Sequence, residues 1–315
     1  MSEMILESDN LQKSFGDNKA VQGITFGILK GELFSLLGPN GAGKTTTISM
    51  LSCLLEPSGG DAKIAGRSIR REAQEVKKMI GVVPQDIALY PTLTARENLS
   101  FWGQMYGMSG PPLKQRIDEV LTTVGLSDRA KERVETFSGG MKRRINIAVG
   151  LLHKPQIVFM DEPTVGIDPQ SRRNILDMVK SLNQQGMTVL YTTHYMEEAE
   201  ELSDRIGIMD HGRLIALGTQ SELTRLVGQE DVVELGIAAE HSNPELLQAL
   251  GQVNGIKQVA AENGTVRLLA NEGNAVLPDL ITITNRYHIR VTNVVVHEPN
   301  LEAVFLHLTG RALRD

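Results

Sequence analysis

Residues 38–45 read Gly-Pro-Asn-Gly-Ala-Gly-Lys-Thr, with glycines at 38, 41 and 43. A backbone free of Cβ atoms at these points can turn tightly and aim its N–H groups at one oxyanion. A helix opening near Lys44 adds the positive end of its dipole. Lys44 suits the β- and γ-phosphates of a nucleoside triphosphate, and Thr45 offers a hydroxyl to Mg²⁺. Downstream, the apolar run Ile157-Val158-Phe159-Met160 ends in Asp161-Glu162-Pro163. Two adjacent acids divide into two roles: Asp161 can hold the hydration shell of Mg²⁺, and Glu162 can polarise an attacking water. Such a pair is costly to bury without a cation. Further candidates are Gln85, whose amide oxygen can bind Mg²⁺ or water without adding charge, and His194, which follows a second apolar run and can face the γ-phosphate. In Phe137-Ser138-Gly139-Gly140-Met141, Ser138 is a natural helix cap, and the glycines expose N–H donors to an anion. Phe15, in a chain with only 4% aromatics, either stacks on an adenine or packs in a core.

These groups need elements to hold them. Leu33–Leu37 reads as a short buried strand into the phosphate loop, and residues 46–55 continue with helical spacing. Residues 4–30 alternate apolar and polar about a turn at Gly16-Asp17-Asn18, as an antiparallel β segment does. A strand at residues 62–65, a helix over 69–79 and a strand at 80–83 follow, broken by Pro84. Thr94 caps a helical run to Gly107, and residues 113–124 form another amphipathic helix. Ile145, Ala148, Val149 and Leu152 mark one buried face of the helix that Ser138 opens. Ile157–Met160 and Met187–Thr193 have the continuous apolar character of parallel strands covered on both sides. Active groups in open α/β sheets sit at the carboxyl ends of strands, where Asp161, Glu162 and His194 fall. Residues 171–184 read as a helix, and residues 206–217 as a hairpin.

Composition narrows the class. The 315 residues suit two domains, or one large domain with an appendix. No apolar run approaches the ~18 residues of a membrane span, and the polar, acidic start does not resemble a secretory signal. The one cysteine, Cys53, excludes an internal disulfide and reads as a small core residue on a helix. A net charge of −6 argues against sequence-independent nucleic-acid binding, so no nucleic-acid partner is expected. The basic stretch Arg67, Arg70, Arg71, Lys77, Lys78 and the acids Glu197, Glu198, Glu200, Glu201 each read as solvated helix faces. Tyr90, Phe101, Trp102 and Tyr106 are four of the thirteen aromatics and form either a small helical core or a partner surface.

Taken together, residues 4–220 resemble the ATP-binding subunit of an ABC transporter. The motifs stand in that family's order: the adenine aromatic Phe15, Walker A at Gly38–Thr46, the glutamine loop at Gln85, the signature at Phe137–Met141, Walker B at Ile157–Glu162, the D-loop around Asp168 and the switch histidine His194. The resemblance implies an α/β P-loop NTPase cassette at residues 1–220, with a mixed sheet core, an antiparallel β segment and a helical subdomain at about 91–150. ATP and Mg²⁺ are the implied cofactors. Phe15, Gly38, Pro39, Asn40, Gly41, Ala42, Gly43, Lys44, Thr45, Thr46, Gln85, Ser138, Gly139, Gly140 and Asp168 would bind the nucleotide. Thr45, Gln85 and Asp161 would serve the metal, and Glu162, His194, Gln85 and Lys44 the reaction. In this family two copies meet head to tail, so the Ser138–Gly140 segment of one would close over ATP held by the other. The implied partners are therefore a second copy and a separate membrane permease, engaged near Gln85–Tyr106, with the chain peripheral on the cytoplasmic side of the membrane. One departure is that Phe137 and Met141 stand where the family usually has Leu and Gln. A soluble regulatory ATPase of the same type, not coupled to transport, is the alternative.

Residues 221–315 lie outside the cassette and are expected to form a small α+β domain. Their pattern is strand 231–238, helix 244–250, strand 256–261, an Asn263-Gly264 turn, strand 265–270, helix 275–285 and strand 289–296. That β-α-β-β-α-β order suggests a ferredoxin-like unit. Leu301, Val304, Phe305 and Leu308 are spaced to give the last helix one apolar stripe. The sequence from Glu298 to Arg311 resembles the tail of ATPase subunits of ABC-2-type exporters of the drug-resistance class, which points to export.

Overall fold

The structure, a computed structural model, describes residues 3–227, 230–237, 244–262, 265–297 and 300–309. The chain divides into two compact units. One runs to Gln220 and the other begins at Ser221.

The first unit is layered. β1 (Met4–Phe15) and β2 (Asn18–Leu29) pair antiparallel about a turn at Gly16-Asp17; burial alternates from Ile24 to Ile28, but in β1 the register shifts and Ile5, Leu6, Ser8 and Leu11 are buried out of strict alternation. β3 (Leu33–Leu37) then enters a second sheet, buried at every residue. α1 (Lys44–Leu51) follows the phosphate loop. β4 (Gly59–Ile64) returns to pair with β1, and β5 (Arg67–Ser68) completes a four-stranded sheet in the order β2-β1-β4-β5. α2 (Ala73–Met79) leads to β6 (Ile80–Val83) at the edge of the second sheet.

A helical layer comes next. α3 (Ala95–Met105) opens on a reciprocal cap: Thr94 Oγ1 accepts the Glu97 N–H at 3.2 Å, and the Glu97 carboxylate accepts the Thr94 N–H at 2.8 Å. α4 (Gly110–Thr123) and α5 (Gly139–Leu151) pack beside it. The chain re-enters the sheet as β7 (Ile157–Asp161), crosses in α6 (Pro169–Gln184), and continues through β8 (Thr188–Thr193), α7 (Met196–Leu202), β9 (Arg205–Asp210) and β10 (Arg213–Gly218). The second sheet has the order β10-β9-β3-β8-β7-β6, parallel except for β10. Its faces join two cores, one with the helical layer around Leu99, Ile117, Ile145 and Tyr191, the other with the antiparallel sheet and α1 around Leu6, Phe34, Ile48 and Phe159. The mixed α/β cassette architecture is therefore as expected.

Several sequence expectations need correction. The helix after the phosphate loop stops at Leu51 and does not reach Leu55. Cys53 lies beyond its end with φ +57°, half-buried, its Sγ 3.6 Å from the Ile69 carbonyl. The segment before β6 becomes helical only at Ala73, because Ser68 Oγ accepts the Arg70 and Arg71 N–H groups and turns the chain first. The basic stretch is thus not one helix face: Arg67 sits on β5 and pairs with Glu72, Arg70 pairs with Glu56, and only Lys77 and Lys78 are helical. Glu198 is not solvated but fully buried.

In the second unit the short helix α8 (Gln220–Thr224) starts at the boundary. β11 (Asp231–Ile237), α9 (Pro244–Gly251), β12 (Ile256–Glu262), β13 (Thr265–Ala270), α10 (Gly273–Arg286) and β14 (Val291–His297) follow. The sheet order is β12-β13-β11-β14, all antiparallel, which is the arrangement of a ferredoxin-like unit. Val233, Leu235, Leu246, Leu268 and Leu280 form its own core. The Asn263-Gly264 turn lies outside the described residues. In α11 (Leu301–Thr309), Leu301, Val304 and Phe305 are buried but Leu308 is exposed, so the apolar stripe is shorter than its spacing suggested.

Candidate nucleotide site

The loop after β3 is held at both ends. The Gly38 N–H donates to the Thr193 carbonyl at 3.3 Å, anchoring the end of β3 to the end of β8. Gly43 has φ +104°, and a Cβ there would stand 2.6 Å from the Ala20 carbonyl, so only glycine fits. Among the described residues no side chain caps the start of α1 at Gly43. Lys44 lies back across the loop: its Nζ donates to the Gly38 carbonyl at 2.6 Å and the Pro39 carbonyl at 3.1 Å. It also meets Glu162 Oε1 at 2.9 Å. The other oxygen of Glu162 is 3.2 Å from His194 Nδ1. Lys44, Glu162 and His194 thus form one buried chain of contacts across the carboxyl ends of three adjacent strands. Glu162 holds φ +44°, a left-handed conformation that costs a residue with a Cβ about 1–2 kcal/mol. Its N–H is pinned to Thr192 Oγ1 at 3.0 Å.

Asp161 is buried beside this chain. Thr192 Oγ1 donates to it at 2.6 Å, and the Thr45 hydroxyl also bonds to it. Burial pushes its carboxyl above the usual range, Glu162's charge adds to this, and the two hydroxyls and Lys44 oppose it. A buried carboxylate beside an exposed threonine hydroxyl is a donor pair that fits a hard divalent cation. Among the described residues no cluster of three or more His, Cys, Asp or Glu stands ready as a metal site.

A cavity of about 650 Å³ opens in front of these groups. Phe15, Asn40, Gly41, Gly43, Lys44, Thr45, Thr46, Gln85 and Glu162 line it. Phe15 is 49% exposed, with Lys13 Nζ 5.2 Å from its ring centre, so the core-packing alternative for it is excluded. The wall also includes Asp17, Asn18, Lys19, Ala20, Gln22, His211 and Gly212, which sequence reasoning did not identify. Their only signal was the turn before β2 and the hairpin after β9. Gly38, Pro39, Ala42, Asp161 and His194 support the site from behind without lining the cavity.

Ser138, Gly139, Gly140 and Asp168 are not among the cavity's lining residues. Ser138 caps α5 by accepting the Met141 N–H at 3.3 Å, and Ser138 and Gly139 are exposed. Asp168 caps α6 by accepting the Ser171 N–H at 2.9 Å, a bond that holds its carboxyl below the usual range. A Cβ on Gly140 would fall 2.2 Å from Ser171 Oγ, so glycine there lets the starts of α5 and α6 touch. The body of α5 grips the loop carrying Gln85. Arg143 Nη1 donates to the Pro84 carbonyl at 2.9 Å, Asn146 Nδ2 reaches the Pro84 and Asp86 carbonyls at 3.4 Å each, and Asn146 Oδ1 accepts the Ala88 N–H at 3.2 Å. Ile87 and Tyr90, just past Gln85 in the chain, are exposed, as are Met105 and Tyr106 at the end of α3, where Tyr106 stacks on His153.

A strand–loop–helix phosphate cradle, with an acid pair on a nearby parallel strand and a histidine on the strand between, defines a P-loop nucleotide hydrolase. Residues 21–165 match the family described as ABC transporter. The chain is 49% identical over 313 residues to the linearmycin resistance ATP-binding protein LnrL of Bacillus subtilis, covering 99% of this chain and all of that one. It is 36% identical to the daunorubicin/doxorubicin resistance ATP-binding protein DrrA of Streptomyces peucetius, over 98% of this chain and 94% of that one. Among solved structures, a dimeric ATP-binding cassette in a post-hydrolysis state with ADP and phosphate superposes with a TM-score of 0.61 at 29% identity, over 68% of this chain and 98% of that one. The chain belongs to the ABC transporter family and is one of its ATP-binding, ATP-hydrolysing subunits.

Proposed function

We propose that this chain drives export through a separate membrane permease of the ABC-2 type, working as a head-to-tail pair of copies on the cytoplasmic face of the membrane. The similarity to two drug-resistance ATP-binding proteins over nearly the whole chain, second unit included, supports export of a toxic small molecule. Among the described residues no helix is long and apolar enough to cross a membrane, which fits a permease carried on another chain. The exposed side chains of Ile87 and Tyr90, just past Gln85 in the chain, offer that permease an apolar contact.

In this reading Phe15 stacks on the adenine, and the loop amides with Lys44 hold the phosphates. Thr45, Asp161 and Gln85 would hold Mg²⁺, which neutralises phosphate charge when bound. Lys44 must leave Glu162 to reach the γ-phosphate. Glu162 is then free to accept a hydrogen bond from the attacking water, with His194 fixing the carboxylate and facing the phosphate. The observation that carries the pairing is the separation within one chain. Ser138 and Gly139 are exposed amide donors at a helix start, yet they lie outside the cavity that Lys44 serves.

The test mixes two inactive subunits. Lys44→Ala and Ser138→Arg should each abolish ATPase activity alone. In a mixed pair both lesions fall in one composite site and leave the other intact, so activity returns. No recovery, once mixed pairs are shown to form, would refute head-to-tail assembly.

A further inference from the structure

Close to the site, but not lining the cavity, is a carboxylate that the reaction as described does not use. Glu198 is 3% exposed. Three hydroxyls donate to it: Thr164 Oγ1 at 2.7 Å, Tyr191 Oη at 2.9 Å and Thr193 Oγ1 at 2.9 Å. Arg172 Nε, in the first turns of α6, stands 3.7 Å away. Tyr191 stays protonated and able to donate, because burial, followed by Glu198's own charge, pushes its hydroxyl well above the usual range.

The origin of these donors matters. Thr164 is two residues past Glu162. Tyr191 and Thr193 end β8 immediately before His194. Arg172 belongs to the helix that Asp168 caps. Thr193 Oγ1 also accepts the Tyr195 N–H at 2.9 Å, so the residue before His194 is bonded to the one after it. The Tyr195 ring packs against His194 at 4.2 Å and carries the Arg172 guanidinium on its other contact, also at 4.2 Å. Every element that could let His194 drift from Glu162 is thereby tied to one carboxylate. A buried acid with its hydrogen bonds satisfied makes a rigid anchor, and losing its charge loosens all of them together.

We propose that Glu198 is a positioning residue for hydrolysis, holding the turn 193–195 so that His194 Nδ1 stays on Glu162 while the ring faces the γ-phosphate. This rests on His194 acting at the γ-phosphate, as proposed above.

The test is steady-state ATPase activity with Mg²⁺–ATP on the full chain, with thermal unfolding and ATP affinity measured alongside. Glu198→Gln keeps the shape and removes the charge. It should lower kcat about 10- to 100-fold, the usual cost of misplacing a reacting group by around an ångström. KM and ATP affinity should stay within about threefold, since neither Lys44 nor Phe15 is touched. The decisive measurement is the double variant with His194→Ala. If Glu198 acts through His194, the second substitution adds no further loss of kcat. If the two losses multiply, or if Glu198→Gln lowers the unfolding temperature while leaving kcat intact, Glu198 is only a structural anchor and the proposal is overturned. If His194→Ala alone leaves kcat intact, the reading of His194 fails and this proposal falls with it; full loss in His194→Ala with none in Glu198→Gln overturns this proposal alone. Should Glu198→Gln not fold, Thr193→Val removes the same tether from the other end. It should lower kcat likewise, and Thr193→Ser, which restores the hydroxyl, should recover it. Equal rates in the two would also overturn the proposal.

Discussion

Replacing Glu162 by Gln should separate two effects that the structure links. The carboxylate stands against Lys44 at 2.9 Å and His194 at 3.2 Å, with Glu162 and Lys44 each about 5% exposed or less. The amide keeps the shape but is a far weaker base. Turnover should therefore fall by about 10²- to 10⁴-fold, the range for losing a positioned general base. Binding should move the other way. Without nucleotide, Glu162 occupies the ammonium that the γ-phosphate needs. Two unit charges ~4 Å apart attract by about 4 kcal/mol at an effective dielectric of 20. Lys44 keeps its bonds to the Gly38 and Pro39 carbonyls in either case, so only part of that attraction opposes the phosphate. Removing it, and a negative charge from a site that receives a polyanion, should tighten ATP binding by about tenfold, or ~1.4 kcal/mol. Calorimetric titration with ATP and steady-state ATPase measurement read the two quantities independently. Turnover within tenfold of the wild type would remove Glu162 from orienting water. An unchanged or weaker affinity would refute competition between the carboxylate and phosphate for Lys44.

Phe15→Ala should weaken ATP and ADP equally, by about 1–3 kcal/mol for a lost base stack, without lowering thermal stability, since the ring is already half exposed; equal affinities would take Phe15 out of adenine binding. His153 stacks on Tyr106 at 4.0 Å and is held below its ordinary value of 6.5, first by burial and then by Arg116's charge, against the Ile80 carbonyl. The unfolded chain therefore binds its proton first, so stability should be lost as pH falls below about 6.5. Unfolding temperatures between pH 8 and 5 should show a shallower decline in His153→Gln, and parallel curves would exclude His153 as the source. Truncation after Thr219 should leave ATP affinity nearly unchanged and weaken self-association if the second unit supports the pair; equal dimerisation constants in sedimentation would leave that unit with a packing role only.

The phosphate loop could be read directly because its chemistry depends on contiguous residues. Gly38 to Thr46 follow one another in the sequence, so the motif shows before the contacts to Thr193 and Ala20 that fix the loop in place. The same holds for Ser138, whose cap bond spans three residues. The strand ends bearing Asp161 and His194 were legible because continuous apolar runs stop there. The far wall of the cavity was not legible, since Lys19, Gln22 and His211 come together only when β2 and the β9–β10 hairpin meet, with Gln22 Nε2 donating to the His211 carbonyl at 2.7 Å. Glu198 was hidden among four acids of similar appearance. Its spacing from Leu202, one turn along the same buried face of α7, was the available signal. Cys53 was misplaced because helical spacing continues past Leu51 while the backbone does not; the chain reverses at φ +57° to reach the Glu56-Pro57 corner.

Arg143 and Asn146 make α5 a lever with two working points. One point is the start of the helix at Ser138, and the other is its middle, which grips the Gln85 loop through the Pro84 and Asp86 carbonyls. A helix of this length is stiff, so displacement at either point is carried to the other. On the proposed assembly, the loop feels the nucleotide this copy holds, while Ser138 feels the one its companion holds. The two copies would then be geared to each other through the same bar that holds the backbone on either side of Ile87. Asn146→Ala should therefore leave each ATP site chemically intact while uncoupling permease-stimulated from basal ATPase activity, and stimulation unchanged from the wild type would show that the bar carries no motion.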